Sequence, residues 1–157
     1  MKLWQRRLLG ILAIGGGAIG ATQCFVAMVS ASRVIEWLFV LSAFAFYCWG
    51  IWCGTRLIEA QPGAERANRR FWLVQVPTFS TPVVGYFLTC GFHLTAKLEF
   101  APFKLGANFL LGSTFNYSLL QPEAPIFIGM NVFAFGIAGW LIHTGHKEKA
   151  VALSSQS

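Results

Sequence analysis

The sequence predicts an all-α integral membrane protein, a bundle of four transmembrane helices with a structured external segment between the third and the fourth. Three observations predict it. Apolar types make up 55% of the 157 residues and charged types 11%, against about a quarter charged in soluble domains. Four stretches are long and apolar enough to cross a bilayer core, which takes about 20 residues as helix. The basic residues fall on alternate flanks of those stretches. Intrinsic disorder is excluded by the 15% aromatic content and the low charge, and a disulfide scaffold by four widely spread cysteines. The length suits one membrane domain.

The first predicted span runs over 8–30 and carries no formal charge. Lys2, Arg6 and Arg7 before it resemble the basic start of a signal peptide. The apolar run exceeds the usual length of such a core, so a retained helix is expected. The second span covers 34–56, the third 71–93 and the fourth 125–144, with a tail at 145–157. None reads as a β-barrel segment, which would alternate apolar and polar residues over about ten positions. Lipid offers a backbone no hydrogen bonds, so each span is expected to be helical.

Lys2, Arg6, Arg7, Arg56, Arg66, Arg69, Arg70, Lys147 and Lys149 lie on one predicted face, and Arg33, Lys97 and Lys104 on the other. Basic flanks mark the cytoplasmic side. A multi-pass protein of a bacterial inner membrane is therefore expected, with both termini cytoplasmic. Trp4, Trp52, Trp72 and Trp140 fall near the same interface. The basic balance is read as orientation and contact with anionic headgroups rather than nucleic-acid binding.

In lipid, helices associate by close approach and polar contacts. Gly16 and Gly20 form a small-xxx-small pair on the first span, continued by Cys24 and flanked by the row Ala13, Gly17, Ala21. Gly136 and Gly139 give the fourth span a similar patch. Pro77 and Pro82 predict a bend in the third span. Gln75, Thr78, Ser80 and Thr81 around it, with Asn131 on the fourth span and Gln23 on the first, form a candidate polar intramembrane site. Arg33 and Glu36, three apart at the start of the second span, form a candidate interfacial ion pair.

The connection 94–124 is too long and too apolar for a plain loop. Residues 96–100 alternate as a short strand would. Phe100, Phe103, Phe109, Phe115 and Tyr117 offer a candidate partner surface, because an exposed apolar patch is normally covered. Motifs of catalysis are missing: the chain has no aspartate and no GxSxG, HExxH or phosphate-binding loop. The predicted depths of His93 and His143 keep them from sharing one metal or haem, and Cys48 and Cys53 lack the CxxC spacing. No cofactor and no enzymatic activity are expected. The expected function is a contact-acting accessory, assembly or immunity-type subunit, whose partners are the bilayer and a membrane protein or a second copy. The alternative is a small transporter or channel subunit built on the polar site.

Overall fold

The computed structural model describes residues 1–100, 103–119, 123 and 125–154, with the backbone alone for 117–119 and 145–154. Two long helices, α1 (Leu3–Ser30) and α2 (Val34–Ile58), form an antiparallel hairpin. A short amphipathic helix α3 (Ala64–Val74) follows. Six strands come next: β1 (Pro77–Ser80), β2 (Val84–Thr89), β3 (Phe92–Phe100), β4 (Phe103–Leu111), β5 (Thr114–Leu119) and β6 (Phe127–Asn131). Helix α4 (Val132–Ser154) closes the described chain.

The hairpin is held by glycines at the α1–α2 contact. A Cβ on Gly17 would lie 2.8 Å from the Tyr47 carbonyl oxygen, and one on Gly54 2.7 Å from the Gly10 carbonyl oxygen. Side chains of any size would push the two backbones apart, so small residues set the packing distance. Gly20 makes room for the Tyr47 ring. Glu36 caps α2: its carboxylate accepts the backbone N–H of Ser32 (2.9 Å) and of Arg33 (3.2 Å). The two residues predicted as an ion pair thus share a helix-capping bond.

The strands form one antiparallel sheet of order β4-β3-β6-β1-β2-β5, curled into a half-barrel. Its frame is a single long hairpin bent in the middle. The pairs Val84–Leu119 and Thr89–Thr114 belong to β2 and β5, and Phe92–Leu111 and Phe100–Phe103 to β3 and β4. All keep one register, without a slip across the bend. Gly91 (φ +83°) and Gly112 (φ +138°) face each other at that bend, where the Gly112 N–H donates to the Gly91 carbonyl (2.8 Å). Such positive φ values suit glycine and strain other residues. The hairpin therefore folds into a U, and β1 and β6 fill the space between its arms.

This architecture overturns the expected all-α four-helix bundle. The predicted third span, 71–93, holds the end of α3, all of β1 and β2, and the start of β3; the predicted fourth, 125–144, holds β6 and the first half of α4. Only α1 and α2 are long and apolar enough to cross a membrane among the described residues, and residues 132–144 make a shorter apolar helix. The reason is physical. A 20-residue average measures apolar content, and a strand with one apolar face next to a buried strand carries as much of it as a helix. Pro77 opens β1, and Pro82 sits in the turn to β2, where Thr81 Oγ1 donates to the Val84 carbonyl (2.8 Å) and accepts its N–H (3.0 Å). Proline is tolerated at both kinds of position. The segment expected to be external supplies most of β3 and all of β4 and β5.

The core lies where α3, α4 and the bend of the sheet meet the hairpin. Phe71 and Trp72 are fully buried there, with Phe71 stacked on Phe46 (5.0 Å) and Trp72 edge-on to Phe133 (5.8 Å). The bend seats on the middle of α1. A Cβ on Gly16 would run into the Gly91 backbone nitrogen, the Ser113 hydroxyl donates to the Gly16 carbonyl, and the Cys90 thiol donates to the Ala13 carbonyl (3.7 Å).

Candidate functional site: the polar inner face of the curled sheet

Side chains alternate across a strand, and here the alternation sorts chemistry cleanly. On β3, His93, Thr95, Lys97 and Glu99 share one face, while Phe92, Leu94, Ala96, Leu98 and Phe100 share the other. Register carries the division across the sheet. Thr95 pairs with Asn108 of β4 and with Asn131 of β6, and Thr89 of β2 pairs with Thr114 of β5. Helices α1, α3 and α4 all touch the apolar face near the bend, through Cys90, Ser113, Tyr86 and Phe92. The polar face is the inner one, enclosed by the curl of the sheet.

Five side chains at the base of this inner face are fully buried: Thr78, Thr89, His93, Thr95 and Asn131. Each keeps a polar atom without a hydrogen-bond partner among the described residues: the Thr78, Thr89 and Thr95 hydroxyls, both nitrogens of His93, and Nδ2 of Asn131. Natural interiors seldom leave such groups unpaired, and five on one sheet face from four strands form a coherent polar site. The His93 ring stands edge-on to Phe87 at 5.3 Å. Asn131 is held by its other atoms: its N–H donates to the Val76 carbonyl (2.8 Å), and its Oδ1 accepts the Ala134 N–H (3.2 Å), which caps α4. Only its NH2 group is left for the inner face.

Glycines keep the floor of this face low. A Cβ on Gly129 would come 2.6 Å from Thr78 Oγ1 and 3.2 Å from Lys97 Cβ. Toward the open rim the face becomes charged. Lys97 Nζ pairs with Glu99 Oε1 at 2.6 Å and lies 5.6 Å from the Phe127 ring centre, and Lys104 stands opposite Glu99. The site thus runs from neutral donors and acceptors at its base to an ion pair at its rim. Among the described residues no three His, Cys, Asp or Glu side chains gather to hold a metal.

Of the polar residues singled out from sequence, Thr78 and Asn131 come together here, joined by Ser80 on the same strand face as Thr78. Gln75 does not reach the face. It is buried at the end of α3, where its Oε1 accepts the Cys90 N–H (2.7 Å) and its Nε2 donates to the Phe71 carbonyl (3.2 Å). Thr81 serves the β1–β2 turn, and Gln23 is exposed on α1. Of the packing glycines, Gly16 and Gly20 are contact points, whereas Gly136 and Gly139 have open space beside them. Phe100, Phe103 and Phe109 are exposed on the apolar face of β3 and β4, Phe115 is half-buried, and the Tyr117 side chain lies outside the described residues. Thr89, His93 and Thr95 were missed from sequence, although the two-residue period of 92–100 marks the last two as neighbours on one face. Compared with protein families, with characterised proteins and with solved structures, the chain matches none.

Proposed function

We propose that the chain is a multi-pass protein of a bacterial inner membrane that acts through protein contacts rather than catalysis, as an accessory, assembly or immunity-type subunit. The observation that carries this reading is the outer edge of the sheet. Strand β4 pairs with β3 on one side and with no strand on the other among the described residues. A nine-residue edge with free backbone donors and acceptors is a template for another chain's strand. The membrane part of the reading is supported by the hairpin. Apolar side chains such as Ile11, Phe25, Val29 and Leu38 are exposed along α1 and α2, which a soluble core helix would bury. The basic groups of Lys2, Arg6, Arg7 and Arg56 gather at one end of that hairpin, the end the charge rule assigns to the cytoplasm. Helix α4 starts where α3 ends and packs along it, which returns the C-terminus toward the same side.

A photo-crosslinking residue at Ala107, on β4, tests the reading in intact membranes. The expected product is one adduct of defined mass with a membrane protein or a second copy. Adducts with lipid alone, together with a monomer in mild detergent, would count against it. A second reading, a transporter or channel subunit, draws on the unpaired polar groups of the inner face. It expects solute flux through reconstituted vesicles that Asn131→Leu abolishes, and vesicles that stay tight with the natural chain would remove it.

A further inference from the structure

We propose that the apolar face of the sheet is a lipid-contacting wall, so that the sheet lies within the bilayer beside the α1–α2 hairpin. The inference rests on the reading of α1 as a membrane span and extends it to the strands of the sheet.

The first support is inverted polarity. A soluble half-barrel turns polar side chains to water and apolar ones inward. This sheet does the reverse. Every alternate residue from Leu94 to Phe100 and from Phe103 to Leu111 is apolar and uncharged, and these point outward. On β6, Ile128 and Met130 continue the same face. Leu105 and Leu111 are 82% and 73% exposed. The inner face carries the threonines, His93, Asn131 and the charged rim, with Phe87, Leu110 and Phe127 among them. Apolar-out and polar-in is the pattern of a wall against lipid.

The second support is length. Strands β3 and β4 have nine residues each, which reach about 30 Å when straight. Leaving the bend with a tilt of about 40°, the run of six residue steps from Leu111 to Leu105 rises about 15 Å, the half-thickness of a bilayer core. The third support is depth. The bend of the sheet seats on Gly16, midway along the 28 residues of α1. A helix of that length measures about 42 Å, so Gly16 lies about 20 Å from either end. If α1 crosses the bilayer, the bend sits near its middle, and the part of the outer face that the helices leave uncovered there, at Leu111 and Phe109, meets acyl chains. Backbone in lipid must close its hydrogen bonds, so an embedded sheet also needs a strand on its β4 edge. The two proposals therefore point the same way without depending on the same groups: one concerns the edge, the other the face.

Collision accessibility of single spin labels tests this. The full chain with Cys48→Ala, which removes the one exposed thiol, is reconstituted in phosphatidylcholine–phosphatidylglycerol vesicles. Labels are placed one at a time on β4 and at Ile11 and Ile19, both exposed on α1. The expected result is a two-residue period. Oxygen dissolved in lipid dominates at positions 105, 109 and 111, and a water-soluble nickel chelate at positions 104 and 108. If β4 reads as water at 105 and 109 while Ile11 and Ile19 read as lipid, the lipid wall is overturned and the membrane reading stands. If all sites read as water, the membrane reading falls with it. Protection of 105 and 109 from both reagents places a protein on this face and also overturns the inference.

Discussion

Two adjacent glycines of α1 differ sharply in what lies beside them. Gly16 faces the Gly91 backbone at a distance that admits no Cβ, whereas Gly15 has open space beside it. Gly16→Ala must move either the helix or the bend, at a cost of about 1–3 kcal/mol for such overpacking. Gly15→Ala removes only a helix-weakening glycine and is expected to be neutral or stabilising by up to about 1 kcal/mol. Thermal unfolding in detergent separates the two, and equal midpoints would refute the seat. Gln75 acts by a different route, because its carbonyl oxygen is the acceptor for the buried Cys90 N–H. Gln75→Leu is expected to cost about 1–3 kcal/mol by leaving that donor unpaired. Gln75→Glu keeps the acceptor but places a charge among buried groups, so it should not restore full stability. That Gln75 is a polar group within an apolar stretch was legible in the sequence. Its role was not, since the partner lies 15 residues away at the end of a strand.

At the scale of elements, the bend of the long hairpin carries the clearest expectation. Gly91→Ala meets two penalties, a positive φ and a Cβ 2.7 Å from the Leu12 carbonyl oxygen. Gly112→Ala meets the backbone penalty alone, with nothing within 4 Å. Backbone strain of this kind costs about 1–2 kcal/mol. Both variants should therefore unfold earlier than the natural chain, Gly91→Ala the earlier of the two, as read by the midpoint of denaturant unfolding. The strands around the bend were partly visible beforehand. The run FHLTAKLEF alternates without a break from Phe92 to Phe100, and FKLGAN continues the pattern from Phe103. What concealed it was the stretch before it. Residues 71–93 are apolar enough for a span, which puts His93 at the end of a helix and takes the first residues from the alternation. Reading the period before the content would have placed Pro77 and Pro82 at strand and turn positions rather than at a helix bend.

At the scale of the whole molecule, the proposed membrane orientation rests on the basic end of the α1–α2 hairpin. Cysteines introduced at Gln61, in the turn after α2, and at Ser32, in the turn between the hairpin helices, are both exposed in the structure. In intact cells a membrane-impermeant maleimide is expected to label position 32 and spare position 61 until the membrane is opened. Labelling of position 61 from outside would reverse the orientation. The hairpin also explains why one chain carries both helices and a sheet. The smooth row on α1 is used twice: Gly10, Gly17 and Gly20 meet α2, and Ala13 and Gly16 meet the bend. The helix thus joins a conventional hairpin to a curled sheet whose inner face gathers Thr78, Thr89, His93, Thr95 and Asn131.

The amino-acid sequence alone determined that this chain carries too little charge for an ordinary soluble surface, that its first two helices are long and apolar, and that small residues line α1. These are properties of composition and of neighbours along one helix, where the relevant distances are local. Tertiary structure decided that the strands β1 to β6 make one sheet and that its polar side chains face inward. Strand pairing joins residues far apart in the chain, as Pro77 with Met130, and an apolar stretch satisfies its backbone as helix or as strand depending on whether such a partner comes to meet it.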